Sequence, residues 1–557
     1  MNTVSNFFLF LKKSSLNELI IYSHDHKYIY KLDSFISEYN INDVQLFFKD
    51  ICTYQQNGSR ELKVNRCYTD NFSTWWLYNR LIYENICVYS FKYKMLLDKI
   101  EENKTHKIEV ITSDERLKFL LTHFCTFNNI HIVIYDSFFQ KLNFFLATYL
   151  KIILTILSLP FLLKSNKSLI FTSNNFSKYG KFDYRFFSLF DTLRKSKINY
   201  FIGIRTKNYP LVIFNRFIKR FKPVIFFDSL NEFSNLIYTN TKYTIPANNY
   251  LDYLSDITNF INVKSIKLSL KLHRALLKLL TPNSALIADN CERSNILLVA
   301  CNQISIPTIG IMNGIETIYY QVQKFNYYST IEHKLIKQRH YGVWSEGIKH
   351  YYLNKSRLYN RENIEISGKL RINNIKSTKS FFEDKKIIKI CWLIEIHVNI
   401  YELVPYIKII LDNPEFNLTF KLDPTKPNNS RDYFNKLSQL LVGYEFYSTD
   451  ITIEEASLNY DLFIGAFSTA LVDVISLYTP ILLINTKQWG NYFDISDMDS
   501  LTVSNEDQLL IKIRNLNFND QLKFKNIFAP DNNLKGPEWI VNKLKKYDKK
   551  NYSTISI

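Results

Sequence analysis

The sequence predicts an α/β protein of two doubly wound domains, each a parallel sheet flanked by helices. Three observations carry this. Short apolar runs of strand length alternate with helix-length segments along most of the chain, the pattern of repeated βαβ units. The alternation falls into two blocks that divide near residue 340, and polar residues stand at the C-terminal ends of the runs, where open α/β sheets bind ligands. With 557 residues the chain has material for two or three domains, each with its own core. The expected limits are residues 1–335 and 336–535, with a closing helix and basic tail over 536–557.

Taken in order, residues 19–23 read as a first parallel strand, with His24, Asp25 and His26 at its end. These are metal-ligand types, but no further ligands stand at suitable spacing, so a loop or acceptor-side role is the expectation. Residues 72–85, with Trp75 and Trp76, read as an aromatic core helix. Residues 108–114 and 131–136 read as strands closing on Asp114 and Asp136. Residues 141–164 form an apolar helical insertion of about the length needed to span a bilayer, yet Lys151 stands near its middle and Pro160 near its end. A mid-bilayer lysine costs about 2.5–3.5 kcal/mol, and no second such segment follows. A helix lying on a membrane, or buried against a partner domain, is therefore expected rather than a span. Residues 168–173, 200–205 and 223–229 resume the strands, and the basic run 216–222 can touch anionic lipid or simply be solvated.

Residues 285–303 run from strand to helix with Asp289 and Glu292 at the junction, and the next strand, 308–316, carries Asn313 and Gly314 at its tip. A general base at Asp289 or Glu292 is the sharper reading, and turn chemistry is the plainer one. The second block begins with strands over 341–345 and 364–374, the latter closing on a turn with Gly368, Lys369 and Arg371. Strands follow over 389–395 and 417–424, the last ending in Lys421, Asp423 and Pro424, with a helix over 402–411 between them. Residues 460–485 then read as a buried strand, a Gly465-Ala466 turn, a helix opened by Ser468 and Thr469 with Asp473 one turn in, and a second strand at 481–484. A helix start has unpartnered N–H groups and partial positive charge, which suit a phosphate. The alternative is an ordinary βαβ unit with Ser468 as N-cap.

Composition narrows the classes further. Hydrophobic residues at 46% exclude a disordered chain. The formal charge of +18, from 70 Lys and Arg against 52 Asp and Glu, suits an anionic membrane surface or phosphorylated substrates. Part of it accompanies the Lys, Asn, Ile, Tyr and Phe usage of an AT-rich genome, and the basic residues are dispersed without a recognition motif, which argues against nucleic acid. The seven cysteines are scattered and form no C-x-x-C pair, so neither a disulfide framework nor a zinc site is indicated and a cytoplasmic setting is expected. The N-terminal apolar patch lacks the flanks of a signal peptide.

Four stretches together resemble the GT-B glycosyltransferases of bacterial surface polysaccharide assembly, within them the capsule and lipopolysaccharide enzymes that use CMP-linked acidic sugars such as Kdo or nonulosonic acids. Residues 310–316 are similar to a glycine-x-x-histidine-glycine loop, 366–373 to a glycine-x-proline-arginine turn, 421–424 to lysine-x-histidine-proline, and 467–484 to the serine/threonine helix that holds the donor. Residues 289–295 also resemble an acidic strand end found in related surface-carbohydrate proteins. The chain departs from the pattern at Asn313 and Asp423, where histidines are usual, and at Leu370, where proline is. The resemblance implies a GT-B fold of two Rossmann-like domains facing across a cleft, and metal-independent transfer from a nucleotide-sugar donor to a glycan or lipid-linked glycan on the cytoplasmic face of the inner membrane. It implies catalytic roles for Asp289, Glu292 and Asn313, with Asp25 a more distant base, and donor binding by Gly368, Lys369, Arg371, Lys421, Asp423, Ser468, Thr469 and Asp473. A polyol-phosphate transferase of teichoic-acid type, and a non-catalytic scaffold of a polysaccharide assembly complex, are the alternatives.

Overall fold

The computed structural model describes residues 18–23, 27–31, 68–69, 72–73, 94–111, 115–135, 138–163, 167–173, 186–205, 223–238, 263–288, 292–312, 314, 335–355, 359–370, 387–396, 398–423, 427–486, 493, 495, 497–530 and 534–548. Near the N-terminus, β1 (Glu18–Tyr22) and β2 (Lys27–Lys31) precede a two-stranded antiparallel pair, β3 (Tyr68–Thr69) and β4 (Phe72–Ser73). With β5 (Lys107–Ile111) and β6 (His131–Tyr135), the first two strands make a separate four-stranded sheet in the order β2-β1-β5-β6. Two expectations are corrected here. The run at 19–23 is not a parallel strand, because β1 is antiparallel to both neighbours: Ile20 lies opposite Ile29 and Glu109. Only four residues join β1 to β2, too few for the crossover that a parallel pair needs. Phe72 and Ser73, expected to start an aromatic helix, are in β4, while Trp75, Trp76 and the group His24, Asp25 and His26 lie outside the described residues.

The first large sheet contains β7 (Ser168–Ser173), β8 (Tyr200–Arg205), β9 (Val224–Ile225), β10 (Ala285–Ile287), β11 (Thr308–Ile311), β12 (His340–Val343) and β13 (Ile364–Ile366), all parallel. Its order is β13-β12-β11-β10-β7-β8-β9. Chain order therefore runs outward from β7 to one edge and then from β10 to the other, the doubly wound pattern with its switch point between β7 and β10. Beyond β9 the expected strand gives way to the helix Phe227–Tyr238, where Asp228 and Glu232, four residues apart, reach one partner from a single helix face. The sheet pairing carries β12 and β13 into this first sheet, so its hydrogen-bonded frame runs to Ile366 rather than ending before residue 336.

The second large sheet contains β14 (Ile388–Leu393), β15 (Phe416–Lys421), β16 (Tyr447–Thr449), β17 (Leu462–Gly465), β18 (Ile481–Ile484) and β19 (Thr502–Val503). It is also all parallel, in the order β16-β15-β14-β17-β18-β19, which places its switch point between β14 and β17. The central strands are apolar without interruption because helices cover both faces: Leu462, Phe463, Ile464, Ile481 and Leu482 are all buried. One apolar core joins the two large sheets, with Met312, Val343 and Trp344 from the first packed among Leu393, Phe463, Leu471 and Ile475 from the second. The final helix, Gly536–Lys546, returns to the first sheet, where Ile540, Val541 and Leu544 join Ile309 and Ile311 in its core. Lys543 and Trp539 on that helix bond Glu365 of β13 at 2.7 and 3.2 Å, and the Tyr547 hydroxyl meets His340 Nε2 at 2.7 Å.

Candidate functional site

The second sheet's switch point is occupied by a side chain that the sequence did not single out. Glu395, two residues beyond β14, is buried, and its carboxylate reaches across to the turn that follows β17. Oε2 accepts from the Ala466 N–H at 2.6 Å, and Oε1 accepts from the N–H groups of Phe467, at 2.8 Å, and Ser468. Burial pushes the Glu395 carboxyl up to about 7, against the three N–H donors, which favour its ionised form. A carboxyl group thus accepts these bonds at the place where the sequence pattern points to a phosphate, and it is the chain's own.

The helix after the turn begins at Ala470 rather than at Ser468, and runs only to Ser476. No side-chain bond from Thr469 caps it, while Ser468 Oγ accepts from the Ala470 N–H at 3.2 Å. The segment is therefore a local βαβ unit with Ser468 at its helix start. Ser468 supports the helix start, and the N–H groups of Ala466, Phe467 and Ser468 converge on Glu395.

Loops from the first sheet close on this turn. Gly314, beyond β11, lies against Thr469: a Cβ built on the glycine would stand 3.7 Å from Thr469 Cγ2. Lys369, just after β13, forms an ion pair with Asp473, and its ammonium lies over the Trp344 ring, 4.5 Å from the centroid. Trp344, which sequence reasoning passed over, is fixed by an indole N–H bond to the Met312 carbonyl at 3.0 Å. Lys369 is held by a turn that only glycine permits. Gly368 has φ of +73°, and a Cβ there would come within 2.3 Å of the Leu534 carbonyl oxygen. Gly368→Ala is expected to lower stability by about 1–3 kcal/mol, read as a fall in the urea midpoint, because both the backbone region and the space are wrong for a side chain.

Of the expected donor-binding residues, the structure thus brings together Gly368, Lys369, Ser468, Thr469 and Asp473. Lys421 ends β15 and is buried; its ammonium donates to the Leu422 carbonyl at 3.3 Å. Burial draws its pKa below the ordinary lysine range, opposed by Asp423, Asp450 and Glu454. Asp423 is tied to the next helix through its N–H, which donates to Ser430 Oγ at 3.1 Å. Asp289, Asn313 and Arg371 lie outside the described residues. Glu292 is the first residue of the helix Glu292–Gln303, beyond β10 and therefore on the switch-point side of the first sheet. Glu395 escaped notice because an acidic residue after an apolar strand is unremarkable until the partner strand, about seventy residues later, is placed beside it.

Among known proteins, no family model matches the chain, and no curated protein does. Solved structures overlap with it at low identity. The Staphylococcus aureus MnaA–UDP complex is 11% identical, with 70% of this chain and 99% of that one covered and a TM-score of 0.40. The UDP-GlcNAc 2-epimerase of Neisseria meningitidis bound to UDP-GlcNAc is 13% identical over 68% of this chain and all of its own, at 0.40. MurG of Acinetobacter baumannii is 10% identical over 68% and 99%, at 0.39.

Proposed function

We propose that this chain is a GT-B glycosyltransferase that moves a sugar from a nucleotide donor to a glycan or lipid-linked glycan, with a CMP-linked acidic sugar such as Kdo or a nonulosonic acid as the favoured donor. The observation that supports this reading is the meeting of Gly314, Lys369 and the 466–469 turn, contributed by two doubly wound sheets, at the switch point of the second. Glycosyl transfer needs positive charge where the nucleotide phosphate departs and a base beside the acceptor hydroxyl. In this reading Lys369 exchanges Asp473 for the phosphate, and the hydroxyls of Ser468 and Thr469 donate to it. Arg371 and Lys421 add positive charge, and the released Asp473 accepts from a ribose or sugar hydroxyl. Gly368 shapes the turn that presents Lys369, and Asp423 orients the strand end beside Lys421. Asp289 or Glu292 is the base, with Asn313 on the acceptor side, and the reading calls for no metal.

The first test is calorimetric binding of CMP, CDP, UDP and GDP to the purified chain. Tight CMP binding that is lost in the Ser468→Ala/Thr469→Ala double variant is the expected result; UDP or GDP preference would overturn the donor class. Asp289→Asn or Glu292→Gln, whichever removes the base, is expected to lower kcat about a hundredfold with donor affinity retained. Equal turnover in both variants would sink the base assignment. Phosphate entering the turn also competes with Glu395. Donor affinity is therefore expected to rise as pH falls through about 7, by up to about tenfold per pH unit, and to lose this dependence in Glu395→Gln.

The Glu395 contact also favours one second reading, a non-catalytic member of a polysaccharide assembly complex whose nucleotide site is filled by its own side chain. Failure of all four nucleotides to bind either the wild type or Glu395→Gln would move that reading to the front.

A further inference from the structure

The helix Phe138–Ser158 is built inside out. Thr148, Lys151, Thr155 and Ser158 are buried, and their spacing of three and four residues puts them on one face. Each is satisfied by the protein. Thr148 Oγ1 donates to Glu232 Oε2 at 3.1 Å, and Lys151 Nζ reaches Asp228 Oδ2 at 3.2 Å and both Glu232 oxygens at 2.9 Å. Thr155 Oγ1 and Ser158 Oγ accept from the N–H groups of Phe226, at 3.1 Å, and Val224, at 3.2 Å, along the β9 edge of the first sheet. Leu154 is the buried apolar member of this inward face, and Leu162, just beyond the turn that follows the helix, is buried as well. The outward face carries Phe145, Leu146, Leu150, Ile153, Ile156 and Leu157, each 38–58% exposed. Lys151 is the only charged residue between 142 and 163, so the exposed side chains described over 144–157 carry no charge. A helix in contact with water is arranged the other way round.

We propose that this face docks on the interfacial layer of an anionic lipid bilayer, with the helix lying along the surface rather than crossing it. A crossing would carry not only Lys151 but also Asp228 and Glu232, held to it from another helix, into the hydrocarbon. Lipid fits the face better than a protein partner does. Protein interfaces carry roughly one hydrogen bond per 100–200 Å², whereas the exposed large side chains between 144 and 157 offer only the Tyr149 hydroxyl. A bilayer asks for no such bonds, and the formal charge of +18 draws the chain to anionic headgroups. The inference stands apart from the glycosyl-transfer reading, since it uses none of the residues of the candidate site.

The test is flotation of the full chain with phosphatidylcholine vesicles, with and without phosphatidylglycerol. The wild type is expected to float, most strongly with phosphatidylglycerol. Ile153→Glu and Leu157→Glu are each expected to lower the partition coefficient at least about tenfold, with circular dichroism unchanged because neither side chain is in the core. Leu157→Trp covers the case in which a glutamate variant fails to fold: its emission is expected to shift to the blue on adding vesicles and to be quenched by brominated lipid. A wild type that stays with the unbound fraction, glutamate variants that float as well as it does, or Leu157→Trp emission blind to lipid would each overturn the proposal. A wild-type dimer that ignores vesicles and becomes monomeric in the glutamate variants would assign the face to a second copy instead.

Discussion

Lys151→Met is expected to destabilise the fold by about 3–5 kcal/mol, the cost of withdrawing a buried cation from two buried acids. Lys151 is 4% exposed, and Asp228 and Glu232, which it bonds, are equally withdrawn from water. Removing the ammonium takes positive charge from two carboxyl groups that water cannot reach. Methionine restores much of the volume, so a cavity contributes little and the loss reports electrostatics. The measurement is the urea midpoint of the variant beside the triple change Lys151→Met/Asp228→Asn/Glu232→Gln. Neutralising all three together is expected to recover most of the loss, because the desolvation of every charge is then removed. A single variant as stable as the wild type would show that the three charges do not act as a buried unit.

Glu395→Leu is expected to cost about 1–3 kcal/mol or more, since the buried N–H of Ala466 and the half-buried N–H groups of Phe467 and Ser468 lose their acceptor and an unpaired buried donor costs about 1–3 kcal/mol. Glu395→Gln keeps one acceptor oxygen and is expected to cost less. The pH dependence separates charge from shape. The folded carboxyl titrates near 7, above its ordinary 4.5, so folding takes up a proton between those values. Stability from this group is present in full below 4.5, falls as pH rises through 7, and is level above that. At about 1.36 kcal/mol per pKa unit, the change across the interval is about 3 kcal/mol, and it is expected to vanish in Glu395→Gln. Urea midpoints measured across that range check it; a wild-type profile that rises with pH in this window would contradict the assigned cause.

Much of the architecture was legible before any coordinates. The runs at 168–173, 200–205, 308–311, 388–393, 416–421, 462–465 and 481–484 are all strands, because a short, predominantly apolar segment bounded by polar residues has few other ways to be buried on both sides. The turn before Ser468, the tip at Gly314 and the Gly368–Lys369 turn were recognisable from residue type and position alone, and the fold brings them together. Local pattern was weaker where the partner was out of view. The β1 run has the composition of a buried parallel strand, and its antiparallel pairing with β2 and β5 shows otherwise.

Short-range periodicity and turn residues are enough to set the alternation of elements and to mark the turns at Gly314, Gly368 and Ser468, while the division between the two large sheets falls after Ile366 rather than near residue 340. What those groups face was decided by the fold as a whole. It turned Lys151 inward to Asp228 and Glu232, leaving an apolar helix face outside, and it set Glu395 on the N–H groups of Ala466, Phe467 and Ser468. Both outcomes depend on contacts between residues more than seventy positions apart, and a charge's partner across that separation is chosen by sheet order and helix packing, which no local run of residues encodes.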